Sequence, residues 1–480
     1  MSPDDTPSPS TGDSSTDDPS DDSSPSGDSP PNNDSSSPDD TPLVHSRRQF
    51  LGLLGGGSAV FAGVGWFAPT WLPDVVTDQF VIHYPEPPAH VWRPEVSETH
   101  ADEAVARLEQ TVERAQTLKE RVDSDSVPRR LEFHLRQGDP TGGWLELAKS
   151  ASDTHERLSN ATIGMMFAGE TVGAAKAVLD EVDPEALAER GTRIQSRAED
   201  VLDSFSDYAV SDPTRDLAYL YFVEESLAPA RTQSRHWERV VGEGERESDY
   251  PDDAVVDTYA SYLQAEQHLE DARYYRDLYR ENLGEQTEPY ADALATSLKT
   301  LTQSIAALPT HVEMRERVED ERDLGQRTPY GAARWELLSI CFDDQYQFNY
   351  GADGHRHGHT VQRLVETANA LLGRRAHEFA LDALDVDPDD TDYDSGRTFR
   401  AKRRAVRQFR SVRKTYDSPF AGILAQYASK LIHAGELGID MADGMFPMWR
   451  NRVEATTYYL ASEGQMHAFD EVFQTIFDGS

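Results

Sequence analysis

Three histidines stand at alternate positions, His355, His357 and His359, within the stretch CFDDQYQFNYGADGHRHGHT that runs from Cys341 to Thr360. In extended chain, residues two apart project to the same side. The three imidazoles would then face one point, with Asp343, Asp344 and Asp353 as carboxylate neighbours. Neutral imidazole and carboxylate are ligands that a zinc-like ion accepts. If instead a helix starting near Thr360 extends back to Asp353, His355 and His359 share a helical face. Its N-terminus would then lower the imidazole pKa and favour the neutral ligand form. The same residues also read as a Gly-rich polar surface loop, with Phe342, Tyr346, Phe348 and Tyr350 as core aromatics rather than a stacking platform. The spacing matches no established metal motif, so no cofactor is required and no residue is assigned a catalytic role.

A second constellation is GRTFRAKRRAVRQFRSVRK, Gly396 to Lys414, with nine basic residues and no acidic one. On a helix, Phe399, Ala401, Ala405, Val406, Phe409 and Val412 gather on one side. Arg400, Arg403, Arg404, Arg407, Arg410 and Lys414 gather on the other. A basic amphipathic helix can meet nucleic acid, anionic lipid or an acidic partner. Pairing with acidic helices of the same chain is the expected use here, with an anionic headgroup or a partner as the alternative and no nucleic-acid role. The chain contains no Ser/His/Asp signature, no G-x-S-x-G, no phosphate-cradling Gly loop and no H-E-x-x-H. Its single cysteine, Cys341, excludes an internal disulfide and a Cys-based metal cluster.

Further toward the N-terminus, the 22 residues from Leu51 to Leu72 carry no charge. At about 1.5 Å per residue, a helix of that length covers the ~30 Å hydrocarbon core of a bilayer. Six glycines make the segment only mildly apolar. Ser46-Arg47-Arg48-Gln49-Phe50-Leu51 precedes it. Together the two resemble a twin-arginine (Tat) export signal, with Ser46, Arg47, Arg48, Phe50 and Leu51 at its informative positions. The resemblance implies export of a folded protein by the Tat translocase, with residues beyond Pro73 outside the cytoplasm. Trp66-Phe67-Ala68-Pro69-Thr70-Trp71 is a poor cleavage site, and the two Trp suit an outer interface. The expected location is therefore the cell membrane, as a single pass held through residues 51–72 with the C-terminal body extracytoplasmic. Release after cleavage is the alternative.

Formal net charge is −40 over 480 residues, from 86 Asp and Glu against 46 Lys and Arg, of which only seven are Lys. Such a surface repels itself in dilute buffer. At 1 M salt the screening length is only about 3 Å. This composition resembles that of proteins from extreme halophiles, most often haloarchaea.

Those sites must be positioned by helices. Val105, Leu108, Val112 and Ala115 repeat at helical spacing. So do Leu187, Ile194, Ala198 and Val201; Leu294, Leu298, Leu301 and Ile305; and Val361, Leu364, Val365, Ala368 and Leu372. GMMFAGETVGAAKAV, Gly164 to Val178, is rich in small residues and predicts close helix packing. The expected fold is all-α: antiparallel helical bundles, or an irregular α-solenoid, after one N-terminal signal or membrane helix. The expected divisions are a disordered acidic Ser/Pro/Asp-rich segment (1–45), the signal or anchor helix (46–72), a Pro-rich linker or packed irregular strap (73–96) and helical domains at 97–245 and 250–480. Two functions fit: a membrane-tethered, outward-facing helical scaffold or binding protein, or an exported metal-dependent hydrolase centred on the three histidines. From the charge, helical circular dichroism of the body should fall on dialysis from molar KCl to dilute buffer and return when salt is restored. Full helicity in dilute buffer would contradict this.

Overall fold

In the computed structural model the described residues are 72–123, 127–136, 139–238, 251–320, 327–342, 359–440 and 447–477. The acidic segment and the twin-arginine segment up to residue 71 lie outside them. Among the described residues every regular element but one is helical. The exception is a single antiparallel bridge between Val210 and Glu288. The all-α expectation is met. No helix among them is long and apolar enough to cross a membrane.

The helices are α1 (Asp74–His83), α2 (Glu98–Lys119), α3 (Glu132–Arg136), α4 (Trp144–Ser150), α5 (Thr154–Val178), α6 (Pro184–Asp203), α7 (Pro213–Ser234) and α8 (Pro251–Asn282). They continue with α9 (Ala291–Ala306), α10 (His311–Asp320), α11 (Pro329–Cys341), α12 (Thr360–Asp382), α13 (Ser395–Thr415), α14 (Pro419–Asp440) and α15 (Met448–Phe477). Their starts follow from local chemistry. Asp153, Asp183, Asp212 and Asp394 each accept a backbone N–H of the first turn, and Ser97 and Thr328 do the same. Pro184, Pro213 and Pro329 fill first-turn positions where no N–H is needed. Part of the acid excess is thus spent on helix starts.

The helices form two groups. In the first, α5 and α8 lie side by side, α2 covers α5, α7 covers α8, and α6 crosses both α7 and α8. Small residues set the α5–α8 distance, as the Gly164–Val178 composition predicts. A Cβ on Gly169 would sit 2.7 Å from Ala260 Cα, and one on Gly173 would sit 2.7 Å from Val256 Cα. In the second group α15 is the axis, packed by α9, α11, α12, α13 and α14. Its middle is buried on all sides, from Arg452 to Gln465, which is how a fully enclosed helix differs from an amphipathic one. The long α8 packs against α5 and α7, although the sequence-based division places it at the head of the second domain.

Of the two readings of residues 73–96, linker or packed strap, the structure has the strap. Its first part is α1, docked on α13 and α14. Arg452 of α15 holds it with Nη1 on Asp74 at 2.7 Å and Nη2 on Asp78 at 2.8 Å. The Ser395 hydroxyl also donates to Asp78. Lys402, fully buried, donates from Nζ to Val81 O and Glu436 Oε2, both at 2.7 Å. Beyond α1, Ser429 donates to Pro88 O, and Gln426 bridges Ala89 O and the Val91 N–H.

The two groups meet where α7 touches α12 and α14. There Glu224 of α7 has no solvent exposure. Its Oε2 accepts the Gln362 N–H at 2.7 Å, and its Oε1 accepts the Tyr208 hydroxyl at 2.7 Å. The same hydroxyl accepts the Thr360 N–H at 3.3 Å. A carboxyl and a phenol from far upstream thus cap α12, whose own N-cap residue His359 contributes no side-chain cap. Tyr208 holds this position at φ +48°, a left-handed conformation that costs about 1 kcal/mol or more in a non-glycine residue. Burial pushes the Glu224 carboxyl up to about 8, against the pull of the α12 amides and Tyr208.

A carboxyl raised in the folded state stabilises fully below its unfolded value near 4.5 and loses that contribution as pH climbs through about 8. Wild-type stability relative to Glu224→Gln should therefore decline between those limits in denaturant titrations. Glu224→Ala, which leaves two buried donors unpaired, should lose about 2–4 kcal/mol.

Candidate functional site

Two adjoining cavities of about 610 and 320 Å³ lie along the α7–α12–α14 junction and share the walls Tyr221, Glu225, Ile423, Gln426 and Lys430. Together they form one cleft. The larger part is roofed by the strap. Trp92 stands edge-on to Tyr219 and Phe222, at 5.6 and 5.9 Å between ring centres. Arg93 Nη2 pairs with Asp153 at 2.5 Å. His155 Nε2 lies 2.7 Å from Pro94 O, to which it donates. Burial lowers the His155 pKa, and the neutral ring still keeps that donor. The strap is therefore tied at one end to α14 and at the other to the start of α5.

Polar groups of the cleft come from α7, α12 and α14, and the larger part adds His155, Glu156, Ser159 and Asn160 of α5 with His90 and Arg93 of the strap. Tyr221 and Glu225, one turn apart on α7, face each other, with Oη 3.4 Å from Oε1. Glu366 of α12 is half-buried, and burial pushes its carboxyl up to about 6. Glu225 is reached by solvent through the cleft mouth, yet protein surrounds it on most sides. That burial raises its pKa, and the Lys430 ammonium of α14 opposes the shift. The Tyr221 phenol is held well above its ordinary value, first by burial and then by the Glu225 and Glu366 charges. Cys341 closes the inner end. Burial raises its thiol, so it is no nucleophile at neutral pH. No Ser, Thr or Cys of the cleft is hydrogen-bonded to a histidine among the described residues. Among the lining groups are the Glu225 and Glu366 carboxyls, the Lys430 ammonium and the Trp92, Tyr221 and Phe222 rings.

None of Glu225, Glu366 and Lys430 lies in a motif. The only sequence signal is a charged residue on a helical face otherwise apolar, and the partner faces come from helices over a hundred residues away. Asn160-Ala161-Thr162, which reads as a glycosylation sequon, lies inside α5, with Ala161 and Thr162 buried.

Of the expected metal ligands, His355, His357, Asp343, Asp344 and Asp353 lie outside the described residues. His359 is described, and it is turned inward. It sits just ahead of α12, buried, and its Nε2 accepts from Arg231 Nη1 at 3.0 Å. Its pKa falls to about 4, as the sequence suggests in direction, but through burial and then the Arg231 charge. Nε2 is thus engaged by a guanidinium, while the buried Nδ1 has no hydrogen-bond partner in the protein. Among the described residues, no three His, Cys, Asp or Glu side chains converge as metal ligands do.

The basic stripe of α13 goes mostly to internal partners. Arg404 Nε binds Glu463 at 3.1 Å, Arg400 reaches Asp385 at 3.5 Å, Arg410 donates to Pro85 O at 3.1 Å, and Arg403 lies over the Phe399 ring. Arg407 and Lys414 are exposed. Lys402, on the same segment but outside that stripe, is the cation that enters the core.

His359→Ala should lower the thermal midpoint of the body by several degrees, equally with and without a chelator, because it deprives Arg231 of a buried acceptor. A loss seen only in metal-loaded protein would restore His359 as a ligand. Residues 99–286 match a family model described as a domain of unknown function, DUF8262, and residues 289–478 match a second, DUF8264. No curated protein and no solved structure matches the chain. The boundary between the two matches falls after α8, and the cleft lies where they meet: Tyr221 and Glu225 come from the first, Glu366 and Lys430 from the second.

Proposed function

We propose that this chain is an exported, membrane-tethered binding protein that takes a small polar ligand into the cleft between its two helical bundles. The observation that carries this reading is the cleft itself. It is roofed by a strap bonded at both ends, and it brings Glu225, Glu366 and Lys430 together without a nucleophile. Paired acceptors opposite one ammonium suit a ligand that carries both donors and an anionic or strongly accepting end, and the aromatic rings supply its apolar contact.

The address comes from Ser46 to Leu51 and the uncharged run to Leu72. That run ends two residues before α1, and α1 is fastened to α13 and α15 through Asp74 and Asp78. A tether there leaves the body little freedom relative to the bilayer. The acidic surface suits work outside the cell in strong salt.

A single labelling experiment tests both halves of the proposal. In a Cys341→Ser background, a cysteine placed by Ser159→Cys, on the exposed wall of the larger cavity, should react with a membrane-impermeant maleimide on intact cells. Changing Arg47 and Arg48 to Lys should abolish that labelling by retaining the chain inside. A panel of small polar solutes should include at least one that slows labelling severalfold, and Glu225→Gln should remove that protection. Labelling unaffected by the Arg changes sinks the export assignment; labelling unaffected by every solute sinks the cleft as a binding site.

A further inference from the structure

A separate groove of about 320 Å³ opens among α2, α5, α6 and α8 in the first helical group, away from the cleft. Its charged lining is Arg107, Arg114, Arg190 and Glu266. In a chain of net charge −40, a hollow with three guanidiniums and one carboxylate is an inversion of the local sign. Glu266 does not neutralise it, because Arg190 takes that carboxylate in a two-point fork. Nε meets Oε1 at 2.9 Å and Nη2 meets Oε2 at 2.8 Å.

Arg107 is the group that points to a ligand. Its Nε donates to Gln267 Oε1 at 3.0 Å, yet its Nη2, buried in the wall of the groove, has no hydrogen-bond partner in the protein. The guanidinium is held in place by a buried chain behind it. Gln267 Nε2 donates to Asp271 Oδ1 at 2.7 Å, Asp271 Oδ1 lies 2.9 Å from His100 Nε2, and His100 stacks on Tyr274 at 4.2 Å between ring centres. Gln267, Asp271 and His100 are all buried. A long cation fixed by three buried residues while one of its donors stays open is arranged as a first contact supported from behind. Arg114, two turns further along the same face of α2, brings a second charge to the groove mouth.

We infer that this groove is a binding site for a tetrahedral oxyanion, a phosphate or sulfate group, seated between Arg107 and Arg114 with Arg190 at its edge. Planar guanidinium forks fit such oxygens. Direct charged hydrogen bonds also keep their strength in molar salt, where longer-range attraction is screened. The group is either a free ion or the terminus of a larger ester.

The test is titration of the full chain in molar KCl with inorganic phosphate, inorganic sulfate and glycerol phosphate, followed by calorimetry. One saturable site per chain is expected. Arg107→Gln should weaken it at least about tenfold, the size expected for a lost charged hydrogen bond. Lys430→Met, in the cleft, should leave it unchanged. Tighter binding of glycerol phosphate than of inorganic phosphate assigns an esterified ligand, and the reverse assigns the free ion. Should Arg107→Gln fail to fold, Arg114→Gln at the exposed rim should still weaken binding severalfold. No saturable binding, or equal affinity in wild type and both Arg variants, means an adventitious ion only and overturns the assignment.

Discussion

A carboxyl group without access to solvent holds the two halves of this protein in register. Glu224 belongs to α7, yet it satisfies an amide at the head of α12, 138 residues further along the chain. Tyr208 lies between them, donating to Glu224 and accepting from Thr360. The first amides of any helix need acceptors. Here they come from the other half, so α12 can be capped only when α7 is in place. Local helix formation and the joining of the halves are thereby made one event. The walls of the cleft that come from α7, α12 and α14 depend on that junction.

A second set of buried charges fastens the strap. Arg452, on the enclosed face of α15, meets both Asp74 and Asp78, and Lys402 meets Val81 O and Glu436. Charges taken out of water cost free energy unless paired and hydrogen-bonded. These are paired, and they fix a segment whose Phe80, Val81, Ile82, Tyr84 and Trp92 also pack on the core. In molar salt the long-range repulsion of an acidic chain would be screened while contacts at bonding distance persist. The scarce cations are accordingly placed where one guanidinium or ammonium satisfies two acceptors. Arg107 departs from this pattern, since its buried Nη2 has no hydrogen-bond partner in the protein.

Much of the fold can be read without coordinates. Helical spacing, Asp and Thr before first-turn prolines, and the small residues of Gly164–Val178 announce helices and one close contact, because these depend on neighbours within a few residues. The resemblance of residues 46–72 to an export signal rests in the same way on local charge and length. Internal pairing of the α13 stripe follows from charge balance alone, and Arg404 with Glu463 is an instance.

Other features rest on pairings between distant residues, which a sequence does not display. Nothing local distinguishes Glu224 from the Glu225 beside it, yet one is sealed beneath α12 and the other opens to the cleft. Nothing marks Lys402 as the basic residue that enters the core, or His359 as turned toward Arg231 rather than toward its neighbours. Helix content and acidity follow from residue type and short-range spacing alone. Which charges are buried, which lid covers which cleft and where α8 packs were decided only by the tertiary structure. Those outcomes depend on which faces meet after helices a hundred residues apart come together.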